Sequence, residues 1–431
     1  MKAAALLLSV FTASGAVGQT EQIRVLESHR ISTPPQPFDV VESFLAVNPA
    51  DSDNLIAAAM GVSSDESLVY TSRDGGATWQ PATWDEGTVF LGGDPMIAFD
   101  GNGRAFFTTI TPEFQVWRSD DGGASWTGPT QVPGRSFDRQ WVAASPTARG
   151  TATLVHAASK TPRRDNSRID DIAVTVSPDG GVSFPEPRII RPDSGYLHTV
   201  TDLLVLGDGT VVLPYQVHYG AAPGGRALLR GRRWVLLSHN DGRDWSGPHE
   251  VAETFDYGNA NWDQAMKGLG GGAIAADETA GPFGGNLYMV WPTAIEDRLQ
   301  IVAARSGDGG LTWHEPVRVN DGGYRSNHST PAVAVNHEGV VAVAWYDRRN
   351  DPSDACFQPF MAVSTDGGAS FHVNTPLSDA FTCPGERSRW LNGGDTQGIV
   401  ALPDGTFRTA WISGTRGSLA LWTTAVEVTR E

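Results

Sequence analysis

The chain has 431 residues and a formal net charge of −17, with 49 Asp and Glu against 32 Lys and Arg. That balance excludes a protein that holds nucleic acid through its phosphates, which needs a basic face. Two cysteines and scattered histidines exclude a zinc site, and no run of ~20 apolar residues exists to cross a bilayer as a helix. The basic residues are nearly all arginine, Lys2, Lys160 and Lys267 being the only lysines. Genomic base composition explains this bias; an arginine-lined site for carboxylates or sulfates explains it too.

The N-terminus reads as a secretory signal. Lys2 is followed by the apolar run Ala3 to Val10 and by the small residues Ala16-Val17-Gly18 ahead of Gln19. Residues 1–18 are therefore expected to be removed, leaving 19–431 as one secreted or periplasmic domain. The pair Cys356 and Cys383 then predicts one disulfide, worth about 3 kcal/mol for a loop of that length.

From Ser72 onward one pattern returns. Ser72-Arg73-Asp74-Gly75-Gly76-Ala77-Thr78-Trp79 recurs as S-x-D-x-G-x-x-W/F around Asp121, Asp179, Asp308 and Asp366, and a further copy carries Asn240. A short carboxylate followed by Gly-Gly makes a tight hairpin: the side chain accepts backbone N–H bonds and glycine takes positive φ without strain. The closing Trp or Phe buries a large apolar face. Such a unit is a structural staple, and repetition at 47 to 68 residues signals a propeller, solenoid or array.

Around each staple lie short β-rich runs. In order, the units begin at Phe44, Met96, Trp141, Leu203, Ala273 and Ala332, and each leads through three runs into its staple. A seventh unit (Ile399 to Ala401, Phe407 to Ile412, Leu419 to Ala425) has three runs and no staple, and Gln22 to Leu26 offers it a fourth strand. The expectation is an all-β, seven-bladed propeller closed by its N-terminal strand, with six blades as the alternative. The staples fall on one rim. The opposite rim collects the long loops, and function concentrates in such loops on a rigid ring.

Aligned inner strands place Glu42, Asp94 and Arg139 at equivalent starts beside the pore, with Asp138, Asp202, Asp263 and Asp395 close by. Converging carboxylates suit general acid and base work, one raised in pKa and one ionised; a hydrated funnel of strand caps is the alternative. The loop from Trp345 packs Tyr346, Asp347, Arg348 and Arg349 together. Tyr346 is a nucleophile candidate if a carboxylate takes its proton; the competing reading is a salt-bridged turn in which Asp347 neutralises an arginine. Arg387, Arg389 and Trp390 add an arginine–aromatic group past Cys383. Thinner candidates for sugar-stacking walls are Arg163-Arg164-Asp165, Tyr215 with His218 and Tyr219, Tyr257 with Trp262, and Tyr324-Arg325 with His328. No cofactor motif occurs.

The boxes and strand pattern resemble the bacterial-neuraminidase (Asp-box) repeat proteins of the sialidase superfamily. Glu42 to Pro49, Gly93-Asp94-Pro95 and Trp345 to Asn350 are similar to segments of secreted sialidase-like proteins. The resemblance implies a glycoside hydrolase acting through three arginines, a Tyr–Glu pair and an Asp acid/base. The family's first arginine stands in an R-I-P string on blade 1. Here that strand starts at Glu42-Ser43, and Arg30-Ile31-Ser32 is the nearest match, so a glycosidase for another sugar fits as well. Asp94, Tyr346, Asp347, Glu42 and Asp263 are the catalytic candidates, and Asp138, Arg139, Asp202, Arg348, Arg349, Arg387, Arg389, Trp390 and Asp395 the substrate-binding ones. The partner expected is a glycan. A non-catalytic glycan- or protein-binding propeller and a polysaccharide lyase are the alternatives.

Overall fold

A computed structural model describes residues 21–32, 39–62, 67–85, 92–111, 113–134, 138–146, 155–162, 170–190, 197–221, 228–257, 271–296, 298–323, 326–384, 392–415 and 419–430. The predicted signal segment lies outside them. The described strands form seven antiparallel sheets, which are the seven blades. Six blades take their strands consecutively, with inner strands Val40–Asn48, Met96–Phe99, Asp138–Ala144, Leu197–Val200, Ala273–Ala276 and His328–Val335. In blade 7 the order from the inside is Gly398–Ala401, Phe407–Ser413, Ala420–Arg430 and then Glu21–Arg30. Glu21 pairs with Arg430 and Arg30 with Trp422, so the N-terminal segment supplies the outer strand as its alternation predicts. Because that strand arrives from the other end of the chain, blade 7 has no hairpin at its outer edge and no place for a staple.

Blade 4 departs from the sequence expectation. Its inner strand begins at Leu197, earlier than Leu203, and is interrupted before Leu204–Val205; both pieces pair with Val211–Ala221. Blade 2 gains a fifth strand, Thr83–Trp84, parallel to Ser125–Trp126. Trp84 stacks on Trp126 at 5.5 Å and meets Phe107 and Trp117 edge-on.

The apolar core is divided among the seven gaps between blades. Ile56, Ala58 and Val69 of blade 1 meet Ile97, Phe107 and Trp117 of blade 2. Val290 and Ile301 of blade 5 meet Val343, Trp345 and Phe360 of blade 6. Ile412 and Leu421 of blade 7 meet Leu45 and Tyr70 of blade 1, which closes the ring. Each blade thus buries two faces, which is why its strands read as near-continuous apolar runs.

The staples form as expected. Asp74 Oδ1 accepts from Thr78 N at 2.8 Å and Oδ2 from Thr78 Oγ1 at 2.6 Å, Ser72 Oγ accepts from Gly76 N at 2.9 Å, and Trp79 Nε1 donates to Gly76 O at 3.0 Å. The carboxylate contacts recur around Asp121, Asp179, Asp308 and Asp366, and the indole bond recurs where the box closes with Trp126 or Trp313. Where Asn240 replaces the carboxylate, its amide donates to Asp244 at 3.0 Å, so donor and acceptor have exchanged places and the bridge survives. The second glycine of a box also lies on the preceding blade: a Cβ at Gly123 would stand 2.4 Å from Ile56 Cδ1.

These bonds hold the box carboxylates below their ordinary range, Asp308 at about 2. Asp74 itself is exposed, so water replaces part of what its removal orphans. Asp74→Ala is therefore expected to cost about 1 kcal/mol in denaturant unfolding and to leave any turnover unchanged.

Candidate active site

At the start of four inner strands the chain makes a left-handed step. Glu42 (φ 56°), Asp94 (φ 51°), Arg139 (φ 55°) and Thr330 (φ 53°) hold it in blades 1, 2, 3 and 6. In blades 1, 3 and 6 the pairing register shifts at that point. A non-glycine residue costs about 1–2 kcal/mol there. Four repetitions at equivalent positions mark a built feature. The step takes these side chains out of strand alternation and gathers three of them, with Asp138 and Asp395, on the rim opposite the staples.

Glu42 is buried and its Oε2 accepts from Asp94 N at 3.1 Å. Burial first, then the charge of Asp94 and a hydrogen bond to its carboxyl, raises Glu42 well above the carboxylate range, with Asp395 adding to the effect and Arg139 opposing it. The protonated form of Glu42 is thus favoured by its surroundings. Asp395 comes from the link into blade 7 and reaches Arg139 of blade 3 at 2.5 Å, so an ion pair spans the rim between strands separated by blades 1 and 2. The Asp395 side chain is 23% exposed, against 5% for Arg139. Burial and the charges of Asp94 and Asp138 lift its pKa to about 6, although Arg139 pulls it down. Arg139 in turn is held charged, its burial being outweighed by Asp395, Asp94, Asp138 and Glu42. Four carboxyl groups act on one guanidinium.

The link carrying Asp395 is tightly seated. Gly393 and Gly394 have φ of 81° and 104°. A Cβ on Gly394 would lie 2.6 Å from Glu42 N, and one on Gly393 2.7 Å from the Tyr346 ring. Gly93 is equally crowded, with Met60 Sδ at 2.3 Å from its missing Cβ. Gly92-Gly93-Asp94 and Gly393-Gly394-Asp395 are the same tripeptide, a signal of close backbone approach that the strand alignment passed over.

Tyr346 is corrected as a nucleophile. It is fully buried, stacked on Phe357 at 4.4 Å, and its hydroxyl accepts from Ile412 N at 3.0 Å. Burial pushes its pKa up to about 12, the opposite of activation. It supports the site from behind, against Gly393 and within reach of Ser43. Tyr346→Phe is expected to keep turnover within about threefold while costing about 1 kcal/mol of stability; a large loss of kcat at unchanged Tm would restore the nucleophile.

Asp347 is likewise corrected as a catalytic group. It receives Trp345 Nε1 at 2.8 Å and Arg349 N at 2.8 Å, Arg349 Nη2 reaches it at 2.7 Å, and His328 Nδ1 lies 3.0 Å away. Against burial, the His328 and Arg349 contacts hold it far below its ordinary range. Arg349 also binds Asp321 and Asn374, and Arg348 is buried, donating to Asp354 O at 2.8 Å. Both arginines are therefore corrected as substrate-binding groups. The salt-bridged turn is what this loop forms. The disulfide Cys356–Cys383 is present and ties that loop to the 382–384 segment, where Phe357 pairs with Thr382 and Cys383 N donates to Gly414 O.

Asp202 caps strands: Oδ1 accepts from Leu203 N and Oδ2 from Ile274 N, joining blade 4 to blade 5, and burial lifts it to about 6. Asp263, Arg387, Arg389 and Trp390 lie outside the described residues, as do Arg163, Arg164, Asp165, Trp262, Tyr324 and Arg325. His218 is fully buried, 3.0 Å from an equally buried Asp256, and Gln216 bonds to both. Beside them Arg233 donates to Gly271 O at 3.0 Å. Mid-strand position in apolar surroundings hid Asp256 and Arg233 from motif reading. Among the described residues no three His, Cys, Asp or Glu side chains are placed to hold a metal ion.

The BNR/Asp-box repeat family matches residues 70–81, which is the first staple. A xyloglucanase of a Paenibacillus species is 24% identical over 293 residues, covering 62% of this chain and 26% of its own length. The chain thus spans about a quarter of that relative. An ulvan lyase from a family of polysaccharide lyases superposes with a TM-score of 0.54 at 13% identity, over 89% of this chain and 94% of the lyase. A Dyadobacter fermentans protein of unknown function superposes at 0.50 with 14% identity, over 94% and 99%. Repeat, strand order and superpositions agree that the chain folds as a seven-bladed β-propeller carrying BNR/Asp-box hairpins.

Proposed function

We propose that the protein is an exported glycoside hydrolase whose reacting groups are the carboxyls gathered around Arg139. The observation that carries this reading is Asp395: a partly exposed carboxyl, proton-bearing near pH 6, paired with a buried Arg139. In this reading Asp395 donates a proton to the leaving glycosidic oxygen, and Arg139 holds its orientation. Asp138, half-buried beside it, is the second carboxylate within reach of a bound sugar. Glu42 and Asp94 form the floor and set the local charge. The xyloglucanase and the lyase support a glycan as the substrate, and the disulfide supports an oxidising setting.

The test is to incubate the purified protein with xyloglucan, arabinan, ulvan and a sialyl-oligosaccharide from mildly acidic to neutral pH. New reducing ends that disappear in Asp395→Asn support the hydrolase. Unsaturated uronate absorbance would assign the site to elimination instead. Neither product from any glycan, together with retention on immobilised glycan, would leave a binding propeller.

A further inference from the structure

We infer that Thr330 is a positioning residue that aims Asp395 at its working place; the inference rests on the hydrolase reading for its kinetic consequences but not for its structural ones. Thr330 sits at the blade 6 counterpart of Glu42, Asp94 and Arg139, with φ of 53°. A β-branched side chain is the poorest choice for that backbone, where glycine or asparagine would sit with less strain. In the other three blades the residue in this conformation brings a charge to the site. Thr330 brings a hydroxyl, and the hydroxyl is fully used: Oγ1 donates to Gly394 O at 2.9 Å, with Asn392 O at 3.4 Å. Thr330 is buried, so this bond has no competition from water.

The opposite side of the same link is held by Glu42 N, which donates to Gly393 O at 2.9 Å. Two successive carbonyls, 393 and 394, are therefore gripped from blade 6 and from blade 1, and Asp395 follows directly. With both grips in place the backbone at Asp395 has no freedom to swing, and its carboxyl is left facing Arg139. Among the described residues, Glu42, Asp94, Asp138 and Arg233 are the other charged or titratable groups that act on Arg139 or Asp395. Left-handed strain in blade 6 is thus retained for the position of a group in blade 7.

Two variants separate position from stability. Thr330→Gly relieves the strained backbone and removes the hydroxyl; Thr330→Ser keeps the hydroxyl. Thr330→Gly is expected to hold Tm within a few degrees of the parent while kcat falls at least tenfold with KM little changed. Thr330→Ser is expected to stay within about threefold of the parent. Carboxyl ¹³C NMR of Asp-labelled protein, with Asp395 assigned by its loss in Asp395→Asn, provides a readout that needs no substrate. In Thr330→Gly the Asp395 midpoint should shift as the released carboxyl leaves its place beside Arg139, and in Thr330→Ser it should not. An unmoved midpoint in Thr330→Gly, or a serine variant displaced as far as the glycine one, overturns the inference. If the parent cleaves no glycan, the hydrolase reading fails, and the NMR comparison still decides the role of Thr330.

Discussion

Asp395→Asn is expected to lower kcat by about 10²–10⁴-fold with KM within a fewfold of the parent, because the amide keeps the shape of the carboxyl and loses its proton exchange. The parent should lose kcat as pH rises through about 6, where Asp395 gives up the proton it must donate, and the residual activity of the variant should lack that limb. Glu42→Gln is the contrast that makes the experiment specific. The surroundings of Glu42 favour its protonated form, which glutamine mimics, so its turnover should stay within a fewfold. The sign of the stability effect also follows. A group whose pKa is raised on folding contributes stability at low pH and loses it as pH rises through the folded value. Unfolding free energy of the parent should therefore fall with rising pH by an increment that Glu42→Gln lacks. Asp395→Asn with more than a tenth of parental kcat, or Glu42→Gln as damaged as Asp395→Asn, would move the chemistry elsewhere on the rim.

Removing the disulfide by a paired Cys356→Ser and Cys383→Ser change is expected to cost about 3 kcal/mol, the entropy released when its 27-residue separation is no longer closed in the unfolded chain. The local consequence matters more for function. Phe357 follows Cys356, pairs with Thr382 and stacks on Tyr346, and both rings lie against the position of Gly393. Loosening that bridge therefore reaches the Asp395 link through one aromatic pair. Denaturant unfolding should show the stability loss, and kcat should drop severalfold below the unfolding midpoint. Unchanged stability under reducing conditions would show that the Phe357–Thr382 pairing holds the loops without the covalent bond.

The parts legible in the sequence were those governed by local chemistry. The staple at Asp74 declares itself because one carboxylate, two glycines and a ring within eight residues have one low-energy arrangement. Blade count followed from its repetition. The strand starting at Gln22 was legible by alternation, since one of its faces packs on blade 7. The site was legible only as a neighbourhood. Glu42, Asp94 and Arg139 could be grouped because they fall at equivalent inner-strand starts, with Asp395 close by, but their ranking depends on burial and on charges contributed by separate blades, which spacing does not encode. Tyr346 and Asp347 misled for the same reason: a phenol and a carboxylate beside two arginines look reactive in one dimension, and packing commits their polar atoms to Ile412 N, Trp345 and Arg349. Thr330 gave no sign at all, because its role is a backbone conformation joined to a single hydroxyl.

The pairing of Glu21–Arg30 with Ala420–Arg430 has a kinetic consequence. Six blades are assembled from neighbouring segments, but the seventh needs two strands about 400 residues apart, the longest loop closure the chain can make. The gap between blades 6 and 7 therefore gains Ile23 and Val25 only when both ends have met. Until then the outer edge of Ala420–Arg430 offers open backbone donors and acceptors. Ring closure should be the last and slowest folding step, and a chain shortened through Arg30 should accumulate as an open, edge-pairing species. A lock built from strands so far apart in sequence keeps the ring open until both Glu21–Arg30 and Ala420–Arg430 are free to pair.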